Sequence, residues 1–347
     1  MSNKVLIVGD LHFKDRRGYA DYIEDGRESE QAQVLSAIVE AANDCDRVVF
    51  LGDQLNSLNN SSSVINKFVN FIERFGNKRL FILLGNHDRK PGKVSALNFL
   101  SEITGKNWKL VIDDVYSEDG LTFCPHLYRS ELGTNDNAEA AKAILDKLPD
   151  GDVLFAHHAI SDINMASGVS TSLFDEPVLN KQALSKKFKV TFAGHIHSSH
   201  FKYPQDNVIM TGSIFNDECG EHGKFVYKLD TSDFSVEQIL LPGRGIYKLE
   251  NPIEKDFVDL PQKSILKVVL TQRLSAEEME ALKKRLRSFE TFILLEQYPT
   301  ERRKIELKEG QNILTMETEE LLNIYAKQNK LDPSLLLSGW KLINTYE

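Results

Sequence analysis

Five largely apolar runs between residues 5 and 197 each end on an Asp, an Asn or a His, and this repetition constrains the fold more than any other feature. Residues 5–8 lead through Gly9 to Asp10 and His12, and residues 48–51 lead through Gly52 to Asp53. Residues 80–84 enter Gly85-Asn86-His87-Asp88. Residues 153–156 enter His157-His158, and residues 190–193 lead through Gly194 to His195 and His197. Short runs without a charged break read as strands buried on both faces. Between them, Val34, Leu35, Ile38, Val39 and Ala42 form the apolar stripe of a helix over 31–45. Ile65, Phe68, Val69, Ile72 and Phe75 form another. Strands alternating with helices in this way predict an α/β domain, whose ligands gather beyond the carboxyl ends of the strands. The five polar endings fall at that position.

The rest of the chain divides by pattern. Helices are predicted over 94–103 and 136–148, the second broken by Pro149-Asp150-Gly151, with short strands over 110–115 and 121–124. Residues 161–180 are polar and read as a long loop. Strand-like segments at 208–211, 224–229 and 235–240 complete a layered α/β sandwich whose second sheet is expected to be the more antiparallel one. Leu241-Pro242-Gly243-Arg244-Gly245 marks the end of a first domain, 1–243. A second domain, 244–310, holds a β-α-β unit: strand 265–270, helix 275–289 and strand 291–296. Ser275 and Glu278 form a capping box at its helix. The remaining segment, 311–347, carries two helices with Leu321, Leu322, Ile324, Tyr325, Leu335, Leu336, Leu337 and Trp340. That much apolar surface on a small helical pair suits a partner as well as its own domain.

A formal net charge of −9 argues against a protein that grips nucleic acid through a broad basic face. It leaves room for a local basic rim. Lys14, Arg16 and Arg17 follow the first polar ending, and Arg89, Lys90 and Lys93 follow the third. In those loops they are candidate phosphate contacts that would not read bases. Solvated charge is the commoner fate of such runs. Cys45, Cys124 and Cys219 have no CxxC spacing, so neither a disulfide framework nor a thiolate metal site is expected, and a reducing compartment is. The short apolar run before Gly9 does not make a signal-peptide core, and no stretch reaches the roughly 20 apolar residues of a membrane helix. A cytoplasmic protein is expected, with no membrane partner.

Asp10, His12, Asp53, Asn86, His157, His195 and His197 are all oxygen or nitrogen donors. Such a set can surround two divalent cations, with one carboxylate shared between them and Asp53 the natural candidate. Two such ions clamp the attacking and leaving oxygens of a phosphoryl displacement and lower the pKa of a shared water. Imidazole and carboxylate without thiolate suit manganese, iron or zinc. Side-chain alternation points His158 away from His157, so His157 is the expected donor. His87, between Asn86 and Asp88, is the candidate general acid, and Asp88 is expected to orient its ring. His126, His200 and His222 stand in no motif and read as loop or surface residues.

Together, Asp10-x-His12, Gly52-Asp53, Gly85-Asn86-His87-Asp88, His157 and Gly194-His195-x-His197 resemble the five motifs of the calcineurin-like metallophosphoesterases, in the family's order. The resemblance implies a four-layer fold and a dinuclear site. It implies Asp10, His12, Asp53 and His197 around one metal, and Asp53, Asn86, His157 and His195 around the other. His87 matches the family's substrate-facing histidine. Gly52-Asp53-Gln54-Leu55-Asn56 lacks the arginine that protein phosphatases carry after this motif, which disfavours that activity. Thr211-Gly212-Ser213 followed by Glu218 and Glu221 partly resembles SbcD-like double-strand-break repair nucleases, with Ile214 where those chains carry proline. In such nucleases, found in bacteria and phages, a capping domain selects DNA and C-terminal helices dock on an SbcC-like coiled-coil ATPase. The resemblance thus implies a manganese-dependent DNA exo/endonuclease, a homodimer acting on duplex ends. The alternatives are a stand-alone phosphodiesterase of small nucleotides or phosphate esters and, less well supported by an intact donor set, a non-catalytic scaffold.

Overall fold

The structure is a computed structural model that describes residues 3–15, 17–92, 95–102, 108–111, 114–163, 170–171, 174–289, 291–297, 317–328 and 331–344. The first alternating half comprises β1 (Lys4–Val8), α1 (Glu28–Ala41), β2 (Arg47–Phe50), α2 (Ser62–Glu73), β3 (Arg79–Leu83), α3 (Phe99–Glu102) and β4 (Trp108–Val111). The second comprises β5 (Tyr116–Glu118), β6 (Leu121–Cys124), α4 (Asn137–Lys147), β7 (Val153–His157), β8 (Ala159–Ile160), β9 (Val178–Leu179), α5 (Lys181–Lys187), β10 (Val190–Gly194) and β11 (Val208–Met210). A hairpin of β12 (Phe225–Asp230) and β13 (Val236–Leu240) follows. Helix starts are fixed locally. Ser61, Asp136 and Asn180 each accept a hydrogen bond from a backbone N–H three residues on.

Two sheets result, ordered β13-β12-β1-β2-β3-β4 and β11-β10-β7-β6-β5. Alternation along the strands makes the layers. Val5, Ile7, Val49, Leu51, Phe81 and Leu83 of the first sheet meet Phe123, Val153, Phe155, Val190 and Phe192 of the second. Their neighbours Leu6, Val8, Val48 and Phe50 face the other way, into a core with Val34, Ile38, Phe68 and Ile72 of α1 and α2. The second sheet's outer face is covered likewise by Ala141 and Ile144 of α4 and Leu184 of α5. The order is helices, sheet, sheet, helices, which is why these strands carry no polar face. A ladder of rings crosses the inner layer: Phe81 stacks on Phe123 at 4.5 Å, Phe123 on Phe155 at 5.3 Å, and Phe155 on Phe192 at 5.8 Å.

Two expectations change. The second sheet is not the more antiparallel one. β6, β7, β10 and β11 run parallel, with only β5 antiparallel among its described strands. The antiparallel hairpin instead extends the first sheet beyond β1. Val226 and Tyr227, on opposite faces of β12, enter the two cores that flank that sheet, and this burial decides the edge. Secondly, of the helix expected over 94–103 the described residues form only α3, and 94 and 103 lie outside them. Ser95 Oγ and Ala96 N both donate to Asp88 O, so these residues buttress the loop after β3 instead of starting a helix.

By contacts the chain forms two compact units, one of Met1–Leu270 with Leu274–Glu296 and one of Thr271–Arg273 with Gln297–Glu347. The first also contains a parallel three-stranded sheet of β14 (Ile246–Glu250), β15 (Ile265–Leu270) and β16 (Thr291–Glu296), with α6 (Ala276–Leu286) between the last two. Ser275 and Glu278 form the capping box in front of α6. β14 escaped sequence reading because only Ile246 of its five residues is buried. In the second unit α7 (Thr318–Gln328) and α8 (Pro333–Asn344) pack together. Ala326 is buried and Leu335 is 72% exposed, while the side chains of Trp340, Leu342 and Ile343 lie outside the described residues. Among the described residues no helix is long and apolar enough to cross a membrane.

Candidate metal centre

The parallel strands β1, β2, β3, β7 and β10 release their polar endings at one end of the sandwich. The turns there are tight. A Cβ on Gly85 would lie 2.0 Å from Asp53 Oδ1, and one on Gly52, at φ +113°, would lie 2.2 Å from the His157 ring. No larger residue fits either place. Three candidate donors hold left-handed backbone: His12 at φ 42°, Asp53 at 49° and His195 at 84°. Such residues cost about 1–3 kcal/mol each and persist where surrounding bonds fix them. Here His12 N donates to Asp53 O at 2.8 Å, and His195 N donates to Asp10 Oδ2 at 2.9 Å.

Two groups of donors converge. Asp10, His12 and His197 place one ligand atom each within 4.8 Å of one another, and so do Asp53, His157 and His195. In the first, His12 Nε2 faces His197 Nε2 at 3.0 Å. In the second, Asn86 Oδ1 lies 3.1 Å from His157 Nε2 and 3.0 Å from His195 Nδ1. Asp53 joins them, with Oδ2 3.5 Å from His12 Nε2 and 3.4 Å from His157 Nε2.

The electrostatics ask for a cation. Asp10 and Asp53 are almost fully buried. Burial pushes the Asp10 carboxyl up. Burial acts the same way on Asp53, but the His157 and His12 rings outweigh it and hold that carboxyl below its usual range. Burial alone would push His157 down, yet Asp53 and Asp10 beside it raise it to about 10. A proton on His157 therefore stands where the site calls for positive charge. The donors are imidazole, carboxylate and one amide oxygen, a set that fits borderline divalent cations. His12, Asp53 and His87 make a further grouping within the same distance. Unlike the others, His87 is exposed, which suits a side chain that meets substrate.

Asp88 does not orient His87. Its carboxylate is fully buried and accepts from the backbone N–H groups of Gln54, Leu55 and Gly85 at 3.0–3.2 Å. Burial pushes it up to about 7. The His87 ring is held instead by Asn56, whose carbonyl lies 2.7 Å from Nδ1. Asp88 is thus a brace joining the β2 and β3 loops. His157 points into the site. His158 points the other way, its Nε2 3.1 Å from Pro125 O.

Four basic residues need separate accounts. Arg17 is buried, stacked 3.7 Å over Phe215, and paired with Asp217 at 3.1 Å. Arg89 is buried and bonded to Glu131 and to His126 O. Each guanidinium is thus ion-paired within the protein, and Arg17 also lines the cavity that holds Asp10, His12 and His87. Lys90 is exposed, and Arg16 lies outside the described residues. Burial would raise Asp217, but Arg17 and Lys14 beside it hold its carboxyl well below the usual range. Asp217→Asn should therefore destabilise the protein by about 3 kcal/mol at neutral pH, by leaving the buried guanidinium uncompensated. In urea titrations the difference from wild type should be full above pH ~4 and fade as the pH falls through the lowered folded value. An undiminished difference at pH 2 would contradict this.

Two participants escaped sequence reading. His126, taken as a loop residue, is buried, stacked on His158 at 4.9 Å and 5.7 Å from the His195 ring. Glu176 lies in the stretch read as a plain loop, yet its Oε1 is 2.7 Å from His195 Nε2. A carboxylate there fixes the tautomer and leaves the Nδ1 lone pair for a metal. Neither carries a periodic or motif signal; only the β7–β10 connection brings Glu176 to the site. Glu176→Gln should weaken divalent-metal affinity about 10–100-fold by calorimetric titration, and unchanged affinity would remove this role.

A crystal structure of Pseudomonas putida nuclease MPE is similar to the chain at 14% identity, over 64% of this chain and 83% of that one, with a TM-score of 0.28. None of the curated proteins compared with the chain matches it. Residues 3–199 match the calcineurin-like phosphoesterase family, a span that contains every donor of both groups. The chain is a member of the calcineurin-like phosphoesterases, hydrolases that work with divalent metals.

Proposed function

We propose that this chain is the DNA exo/endonuclease subunit of an SbcC–SbcD-type complex in double-strand-break repair and recombination. The observation that carries the reading is a run of cavities along the centre. One of about 200 Å³ is lined by Asp10, His12, Lys14 and His87. One of about 260 Å³ lies at Asn86, His126, Tyr128 and Glu176, and one of about 320 Å³ begins at His197. A small ester fills one cavity, whereas a strand passes several. Exposed Lys90, and Lys14, which lines the first cavity while paired with Asp217 at 2.9 Å, are the proposed phosphate contacts. The sheet of β14–β16 is the proposed capping element. The pair α7–α8, with exposed Leu335, is the proposed seat of a coiled-coil ATPase, and a second copy of the chain is the other proposed partner.

Asp10, His12, Asp53 and His197 would hold one divalent cation, and Asp53, Asn86, His157 and His195 the other, with manganese the proposed metal. Such a pair, when bound, polarises the phosphodiester and activates water for in-line attack. The chain's own residues do the rest. Asp53 keeps the two donor groups in one rigid frame. Asn56 accepts from His87 Nδ1, so Nε2 is the atom that can hand a proton to the leaving oxygen. Asp88 holds the β2 and β3 loops together and so fixes the distance between Asp53 and His87.

Pairing of Arg17 with Asp217 and of Arg89 with Glu131 lowers the positive charge around the centre and supports a second reading, a stand-alone phosphodiesterase of small esters. One experiment separates them. Linear duplex DNA is incubated with manganese, with and without a co-purified SbcC-like ATPase, beside a small phosphodiester. Degradation of the duplex is expected, faster with the ATPase. Intact DNA in both arms beside brisk turnover of the small diester would overturn the nuclease reading.

A further inference from the structure

The cavity beyond His197 differs in character from the metal centre it adjoins. Phe201, Phe225 and His222 line it, together with Ser199 and Gln238. The rings are backed by others: Phe201 lies 5.6 Å from Tyr227, and His222 stacks on Tyr247 at 5.2 Å. Its volume of about 320 Å³ is at the lower end for a small-molecule site.

Its charges are already matched. Among the described lining residues, Lys224 is the one Lys or Arg. Its ammonium has three donors. These go to Glu221 Oε1 at 2.8 Å, Ser213 Oγ at 2.8 Å and His197 O at 3.0 Å. The other Glu221 oxygen accepts from Asp217 N and Glu218 N at 2.7 and 2.9 Å. The buried pair thus fixes the His197 backbone at the boundary and offers no free cation to an anion. A phosphate gains little here. A flat, neutral ring gains the aromatic side chains, beside Ser199 Oγ and Gln238 Nε2, which already meet the Tyr227 hydroxyl at 2.6 and 3.2 Å.

We infer that this cavity is a nucleobase subsite, taking the base of the nucleotide next to the scissile phosphate on the His197 side. The inference deepens the nuclease reading and rests on it for its strand substrate. Stacking of this kind is sequence-tolerant, since every base has a π face. It gives a nuclease register on the strand without sequence preference.

The test uses single-stranded oligodeoxynucleotides with one abasic residue moved stepwise past a defined cleavage position. With manganese-loaded full-length protein, one abasic position should raise KM about 10-fold or more with little change in kcat. In Phe201→Ala that penalty should vanish, and in Phe201→Trp it should return. His222→Ala, at an exposed residue, should shrink it in a variant expected to fold. An equal penalty at every position, or one that persists in Phe201→Ala, overturns the subsite. If no oligonucleotide is cleaved, the nuclease reading falls, and binding decides the subsite. Adenosine monophosphate binding at least about 10-fold more tightly than ribose 5-phosphate, with the difference lost in Phe201→Ala, supports a base site for a free nucleotide. Equal binding of the two overturns it.

Discussion

Asp53→Asn should strip the protein of both cations and lower phosphodiesterase turnover by about 10³-fold or more, equivalent to roughly 4 kcal/mol of barrier. The change is nearly isosteric. The oxygen that accepts from His87 N at 2.9 Å can remain, and the left-handed backbone at 49° suits Asn as well as Asp. The charge is what goes. Asp53 Oδ2 lies within 3.5 Å of donors from both groups, so its loss is felt twice, whereas Asp10→Asn touches one group. Elemental analysis after dialysis should find no metal in Asp53→Asn, one ion in Asp10→Asn and two in the wild type. An Asp53→Asn protein that keeps two ions would mean that the groups are independent.

His87→Ala should keep both metals and lose about 10²–10⁴-fold in kcat on alkyl diesters and DNA. The reason is placement: the ring is exposed at the mouth of the cavity lined by Asp10 and His12, anchored by Asn56 O. A leaving group that needs no proton should be far less sensitive. With a 4-nitrophenyl diester the loss should shrink to about 10-fold or less, because 4-nitrophenolate leaves unprotonated. An equal loss on both substrates would move His87 from proton donor to substrate binder. Loss of metal would make it a ligand with His12 and Asp53, a grouping the geometry also allows.

What the sequence could tell about this molecule followed from how each feature is encoded. Strands buried on both faces leave uninterrupted apolar runs, so β1, β2, β3, β7 and β10 were visible, and so were the donors at their ends. Sheet membership was not, because an apolar segment does not name its neighbour. The hairpin β12–β13 joined the first sheet since Val226 and Tyr227 find cover on both of its faces. Short side-chain links were hidden for the same reason. Asp88 adjoins His87 in sequence, yet three backbone amides from two loops claim its carboxylate. Arg17 and Arg89 looked like rim charges because sequence shows charge but not the partner, here Asp217 and Glu131. Glu176 had no signal at all, being 19 residues from the His195 it orients.

Two cations are expected to share Asp53. Anomalous diffraction from crystals grown with manganese tests this most directly. Two peaks about 3.5–4 Å apart are expected, one beside Asp10, His12 and His197 and the other beside Asn86, His157 and His195, with Asp53 between them. A single peak, or a pair that leaves Asp53 unligated, would contradict it.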